Sequence, residues 1–358
     1  MRLEKVLKEM QKRQLTHLII NDPSSIDYLI NYKNNPGERM YLLLLSSDGH
    51  HKLFMNNLFY LDHELDSEQV WYSDTDNYLQ LLADEFDGAC SIGIDKNFPA
   101  RFLIPLMNLV DECHFELGSE CVDRVRMIKD EKEQQLMIEA SKINDLVVDE
   151  VINICAKGDL TEEEVSKQLE GIYQKHGCVG NSFEPIVAYG KNGADNHHSG
   201  DDSRLKVGDS IVIDIGGLYK GYCSDMTRTV FYKEVSPKQK TVYELVLKAQ
   251  KAAEAMIKPG VRLCDIDKCA RDIIAEGGYT VEFNHRLGHF IGRDVHEWCD
   301  VSQNFDLEVQ EGMTFSIEPG VYLQGEFGVR IEDLVLVTKD GCKVLNSYPK
   351  DLRVIGND

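Results

Sequence analysis

The sequence lacks an excess of positive charge. Its 358 residues hold 39 Lys and Arg against 61 Asp and Glu, a formal net charge of −22. Binding a phosphate backbone needs a basic face, so nucleic acid is excluded as a partner. A carboxylate-lined metal site suits the same balance. Long apolar runs are also missing. The longest, around Tyr41 to Leu45, is far short of the ~20 residues of a membrane span. The opening MRLEKVLKEMQKRQLTHLII has no apolar stretch of secretory length. The expectation is a cytoplasmic protein that neither crosses a membrane nor is exported. Ten cysteines are spread thinly, with no CxxC pair; Cys264 and Cys269 are the closest two. Five apart on a helix is not a metal-ligand spacing, so reduced thiols are expected. No low-complexity linker interrupts the chain.

What is present is an ordinary globular mix, 42% hydrophobic and 28% charged. At about 150 residues per domain, the length suggests two domains. Leu3, Val6, Leu7 and Met10 recur at helical spacing. Short β-like runs follow: HLII (17–20), MYLLLLSS (40–47), HKLFM (51–55) and SIGID (91–95). Strands alternating with helices predict a small α/β domain. From about Asp130 the texture changes to two long helices, the second opened by Thr161 and Glu164 as a capping box and stopped near Gly177. The boundary is placed within the charged segment 122–132, giving domains 1–124 and 125–358.

The second half carries an internal repeat. Residues 157–177 and 258–278 share one layout: a Gly turn, a helix start, an amphipathic helix and a closing Gly. Downstream, VGDSIVID (207–214) resembles EGMTFSIE (311–318). The offsets agree: 312 − 208 = 104 for the glycines and 318 − 214 = 104 for Asp214 and Glu318. A pseudo-twofold relating the copies would bring two strand-end acids toward one centre.

Carboxylates rarely sit unpaired in apolar strands, because burying a charge is expensive. Asp214, Asp225, Glu318 and Glu332 all lie in such contexts. Taken singly, each fits a buried salt bridge or a strand-end cap, with Arg228 and Arg330 as partners. Taken together, with His289 between Gly288 and Gly292, they point to metal. His197, His198, His285 and His296 are further candidates. A mostly carboxylate set with one imidazole favours Mn²⁺ first, then Co²⁺, Fe²⁺ or Zn²⁺. Two such ions about 3.5–4 Å apart clamp a water and lower its pKa. The residues alone therefore read as a dinuclear metallohydrolase.

The motifs IDIGGLYKGYCSDMTRT (213–229), HRLGHFIGRDVHE (285–297), FSIEPGVY (315–322) and GVRIEDLVLVT (328–338) resemble those of the pita-bread metallopeptidases. That family includes Xaa-Pro dipeptidase (prolidase), aminopeptidase P and methionine aminopeptidase. The resemblance covers residues 125–355 strongly. PGERMYLLLLSSDG (36–49) fits more loosely the N-terminal domain of prolidases and aminopeptidase P. The implied fold class is α/β (α+β): a small creatinase-like N-terminal domain and a C-terminal pita-bread domain with pseudo-twofold repeat.

The resemblance implies that Asp214, Asp225, His289, Glu318 and Glu332 hold two divalent ions, with Asp225 and Glu332 bridging both. It makes Glu318 the general base and proton shuttle for a metal-bridged hydroxide. It gives His296 the oxyanion and His197 the substrate and leaving nitrogen. His285 becomes a supporting or proline-pocket group, and Tyr322 and Arg330 supports for the ligands. The family's usual Pro-His reads Asn196-His197-His198 here, so His198 is the alternative to His197. Intact ligands argue against the non-catalytic scaffolds of the same fold and against creatinase. A Mg²⁺-dependent phosphoryl hydrolase would need more cations for phosphate than Arg228 and Arg330.

The separate N-terminal domain favours an Xaa-Pro peptidase over methionine aminopeptidase. In prolidases and aminopeptidase P that domain caps a neighbouring subunit's site, so the resemblance implies a homodimer or larger assembly acting on short proline-containing peptides. Xaa-Pro dipeptidase is the preferred reading and aminopeptidase P the alternative. Arg39 is a candidate to hold a dipeptide's C-terminal carboxylate.

Overall fold

A computed structural model describes residues 2–61 and 63–357. The chain divides into two compact units, Met1–Arg126 and Met127–Asp358.

In the first unit the order is α1 (Arg2–Lys12), β1 (His17–Ile20), α2 (Pro23–Ile30), β2 (Leu42–Ser46), β3 (His51–Asn56), β4 (Glu68–Tyr72), α3 (Tyr78–Ala83), β5 (Ser91–Ile94), α4 (Ala100–Leu109), β6 (His114–Leu117) and α5 (Glu120–Arg126). The strands form one sheet in the order β4-β3-β2-β1-β5-β6. Leu42 to Leu45 are buried on both faces, which explains an unbroken apolar run in place of alternation. β4 and β6 escape the sequence reading because they are edge strands with mixed, partly exposed patterns. The charged segment read as a boundary overlaps the end of α5, which sends Cys121, Val122 and Val125 into the core.

The second unit begins with α6 (Glu131–Lys157) and α7 (Glu162–Lys175). Capping boxes open both, Asp130 with Glu133 and Thr161 with Glu164, each worth about 1 kcal/mol. Then come β7 (Ile186–Tyr189), β8 (Ser210–Ile215), β9 (Leu218–Tyr219), β10 (Tyr222–Cys223) and β11 (Met226–Tyr232). The pattern restarts with α8 (Pro237–Met256), α9 (Leu263–Glu276), β12 (Gly288–Phe290), β13 (Glu297–Val301), β14 (Thr314–Ile317), β15 (Gly320–Leu323), β16 (Phe327–Arg330) and β17 (Asp333–Val337), and ends with β18 (Cys342–Val344) and β19 (Val354–Ile355).

The repeat is physical. Two helices and three antiparallel strands occur twice: α6, α7 and β7-β8-β11, then α8, α9 and β12-β14-β17. α7 and α9 are each 14 residues long. Gly208 and Gly312 both take positive φ, +90° and +87°, a turn only glycine makes without strain. Each half packs its own apolar cluster between helices and sheet, which leaves the opposite sheet faces for polar groups. Among the described residues no helix is long and apolar enough to cross a membrane. All ten cysteines are free thiols, each buried or partly buried.

Candidate metal centre

The two copies deliver acids from equivalent points. Asp214 lies in β8 opposite Thr227 of β11, and Glu318 directly follows β14. Asp225 immediately precedes β11, and Glu332 immediately precedes β17. His289 comes from β12, at a register shift against β13. Gly288 beside it lets β12 approach β14 closely: a Cβ there would lie 1.9 Å from the Ser316 carbonyl oxygen. Asp214, Asp225, His289, Glu318 and Glu332 all line one cavity of about 650 Å³, together with His197, His198, His285, Arg286, His296 and Arg330.

Asp225, His289 and Glu332 present ligand atoms within 4.8 Å of one another. His289 Nε2 lies 3.4 Å from Asp225 Oδ2 and 3.5 Å from Glu318 Oε1. Its Nδ1 is 3.2 Å from the Phe290 carbonyl. A carbonyl only accepts, so Nδ1 carries the proton and Nε2 turns a lone pair toward the acids. Asp214 Oδ1, Asp225 Oδ1 and Glu332 Oε1 are buried with no hydrogen-bond partner. Orphaned buried oxygens are costly, and three on residues that line one cavity with an imidazole fit divalent cations.

The surrounding groups hold these oxygens in place. Arg330 donates from Nη2 to Asp214 Oδ2 (2.5 Å), from Nε to Thr227 Oγ1 (3.0 Å) and from Nη1 to the Tyr322 hydroxyl (2.9 Å). Tyr322 lies 3.0 Å from His285 Nε2, and His285 Nδ1 lies 2.7 Å from the Arg286 carbonyl. Ser316 donates to Glu318 Oε1 at 3.2 Å and accepts from the His289 backbone N–H at 3.0 Å. The His296 ring meets His289 edge-on, centroids 4.3 Å apart.

Burial dominates the electrostatics. Desolvation, then the neighbouring Asp214 charge, raises Asp225 well above the carboxylate range, and desolvation with Asp225 does the same to Glu332. Desolvation lifts Glu318 to about 7. It pushes His285 down to about 3 and His296 to about 4, and lowers His289. Without cations the site resists its own negative charge.

His197 and His198 part company. His198 Nε2 lies 2.6 Å from Glu162 Oε2. The same buried carboxylate accepts from the backbone N–H of Tyr189 and Asp201 and from Asn192. Glu162, His198 and Asp201 thus form a second cluster of metal-capable groups. Glu162, however, already satisfies both oxygens within the protein. His197 is exposed at the cavity lining. Arg39 forks onto Asp74 with bonds of 2.9 and 2.8 Å. The sequence reading missed Thr227, Ser316, Glu162 and Arg286. Thr227 sits in a quoted motif, but an alternating strand gives no sign of which hydroxyl turns inward. Glu162 sits in a run of three acids in which only Glu164 carries a sequence signal, its capping-box spacing from Thr161.

Residues 135–339 match the model of metallopeptidase family M24, and residues 2–128 match the creatinase/prolidase N-terminal domain. The chain is 45% identical to the Bacillus subtilis (strain 168) protein named "Putative dipeptidase YkvY", over 67% of this chain and 66% of that one. Its structure is similar to recombinant prolidase from Thermococcus sibiricus, with a TM-score of 0.93 at 32% identity over 99% and 98% of the two chains. It is also similar to the X-Pro aminopeptidase from Thermotoga maritima MSB8, with a TM-score of 0.80 at 29% identity over 97% and 100%.

Proposed function

The chain belongs to metallopeptidase family M24, and from that premise we propose that it is a prolidase-type enzyme that splits Xaa-Pro dipeptides with two divalent metal ions. The observation that carries the reading is the set of three buried, partnerless carboxylate oxygens, of Asp214, Asp225 and Glu332, on residues that line one cavity with His289. Asp214, Asp225, His289, Glu318 and Glu332 would hold the ions, and Mn²⁺ suits this donor set. When bound, the ions supply Lewis acidity that activates water near neutral pH and polarises the scissile carbonyl.

Glu318 takes the proton from the attacking water and passes it to the proline nitrogen as the bond breaks. Burial raises its carboxyl in the metal-free site, and bound cations would favour the ionised form that accepts the proton. Ser316 fixes Oε1. His296, kept neutral by desolvation, donates to the oxyanion that develops on the carbonyl. His197, exposed at the lining, receives the leaving side of the substrate. The Arg330–Tyr322–His285 chain fixes Asp214 and the adjoining wall. An Xaa-Pro bond has no N–H, so this machinery, which acts on the carbonyl, needs none.

The near-full overlap with the Thermococcus prolidase supports the dipeptidase reading. The likeness to an X-Pro aminopeptidase favours the second reading, action on longer peptides. A homodimer is part of the proposal, and light scattering tests it. Proline release from Leu-Pro is measured beside leucine release from Leu-Pro-Pro, with Mn²⁺ and with a chelator. Cleavage of Leu-Pro alone, lost on chelation, supports the proposal. Cleavage of Leu-Pro-Pro supports the aminopeptidase. Failure to cut either, with no stoichiometric metal bound, makes the chain a binding module.

A further inference from the structure

A dipeptide differs from the end of a longer peptide by one charge, the carboxylate one residue beyond the scissile bond. At about 3.5 Å per residue, the group that reads this charge must line the same cavity as the acids. Among the described residues the lining contains two arginines and no lysine. Arg330 is spent: Nε, Nη1 and Nη2 all donate within the protein. Arg286 is different. Its Nη1 donates to Asp300 Oδ1 at 2.6 Å, and the side chain remains one-third exposed, at 33%.

Asp300 pairs across β12 and β13 with His289 itself, so the carboxylate that braces Arg286 is carried by the strand beside the centre. One arm of the fork is held by Asp300, and Arg286 lines the cavity, where a planar guanidinium can pair with a carboxylate. The charge balance points the same way. Asp214, Asp225, Glu318 and Glu332 carry four negative charges when ionised, which two divalent ions would neutralise. A bound dipeptide would then add a carboxylate, and of the two arginines on the lining Arg330 is held on Asp214, Thr227 and Tyr322, while Arg286 is held by Asp300 through Nη1. The residue before His289's Leu-Gly approach also anchors the wall, since its carbonyl receives His285 Nδ1.

Resting on the dipeptidase reading above, we propose that Arg286, braced by Asp300, binds the C-terminal carboxylate of the dipeptide and so sets the preference for free dipeptides. It is a specificity residue that touches substrate away from the reacting atoms. Arg39, engaged by Asp74, does not take this part.

The test compares Leu-Pro with Leu-Pro-amide on the wild-type protein, Arg286→Met, Arg286→Lys and Asp300→Asn, with Mn²⁺ saturating. Each variant is its own control, because both substrates meet the same protein. The wild type is expected to prefer Leu-Pro. Arg286→Met is expected to raise KM for Leu-Pro by roughly ten- to a hundredfold and leave KM for the amide and kcat for both nearly unchanged. Arg286→Lys should recover part of the preference, and Asp300→Asn should lose part of it. Calorimetric binding of proline against prolinamide should show the same loss of discrimination without turnover. An Arg286→Met protein that keeps the wild-type ratio of the two substrates overturns this inference alone. A wild-type protein that cuts neither substrate overturns the dipeptidase reading beneath it.

Discussion

Thr227 donates its hydroxyl to Glu332 Oε2 at 2.7 Å, while Oε1 of the same carboxylate is buried with no partner. The hydroxyl comes from the first copy of the repeat and the carboxylate from the second. One contact therefore ties the halves together and decides which oxygen of Glu332 is left for a cation. Thr227 also accepts from Arg330 Nε, whose Nη2 holds Asp214.

Thr227→Val keeps the shape and removes both bonds. It leaves Glu332 with both carboxylate oxygens unpaired and Arg330 with Nε unpaired. Metal affinity is expected to fall about 10- to 100-fold, the usual effect of losing a partner behind a ligand. Competition with a chromogenic chelator measures it. Unchanged affinity would show that Glu332 is held without the hydroxyl.

Burial raises Glu318 from 4.5 to about 7 and carries Asp225 and Glu332 well above their ordinary values. In the unfolded chain these acids ionise near about 4. Between those limits the metal-free folded state holds protons that the unfolded state has released, so stability falls as pH rises. His285, His289 and His296, held neutral in the fold, oppose this trend below about pH 6.5, where unfolded imidazoles take up protons, so the metal-free protein is expected to lose Tm from about pH 6.5 upward, with the loss complete once the folded carboxyls have ionised. Glu318→Gln, which does not titrate, should show a shallower fall. Saturating Mn²⁺ should cancel the trend, because it binds the ionised, folded site. Thermal scans in chelator across pH check the sign; a rising Tm over that range would contradict it.

Much of this architecture is legible in the chain. Asp214, Asp225, Glu318 and Glu332 stand out because a charge between Val, Ile and Leu demands a reason. The 104-residue offset is visible because each half must rebuild the same turn, strand and acid. The cavity brings these acids to one place with His289, which local sequence cannot state. Arg286 and Glu162 are not legible, because each looks like a solvated charge until the fold closes around it. Arg39, conspicuous after Pro36 and Gly37, proves to be paired on its own unit with Asp74. The edge strands β4 and β6 are hidden for the opposite reason: half-exposed strands carry no clear alternation.

Glu318→Ala removes a carboxylate that lines the cavity and, in the proposal, the proton carrier. Turnover of Leu-Pro is expected to fall at least 10²- to 10⁴-fold, the span of general acid–base catalysis, and further if an ion is lost. Glu318 directly follows β14, outside the strand's own ladder, so circular dichroism and cooperative melting should persist. Near-normal turnover in a folded variant would sink the assignment.

Glu162 tests the loop that carries His197. Its carboxylate is fully buried and joins the start of α7 to Tyr189, Asn192, His198 and Asp201 through four bonds. Glu162→Ala leaves those donors unpaired in the interior. Breaking a buried, charge-assisted cluster from one side costs about 3–5 kcal/mol, which urea unfolding would read as a lower midpoint at unchanged m-value. The segment from 189 to 201 would lose its anchor, and His197 its fixed place at the cavity. KM for Leu-Pro should then rise more than kcat falls, while the proposed carboxylate ligands, set on β8, β11, β14 and β17 or at their ends, should keep their metal affinity. Equal losses in metal affinity and KM would mean that Glu162 supports the sheets as a whole and has no particular tie to the histidine loop.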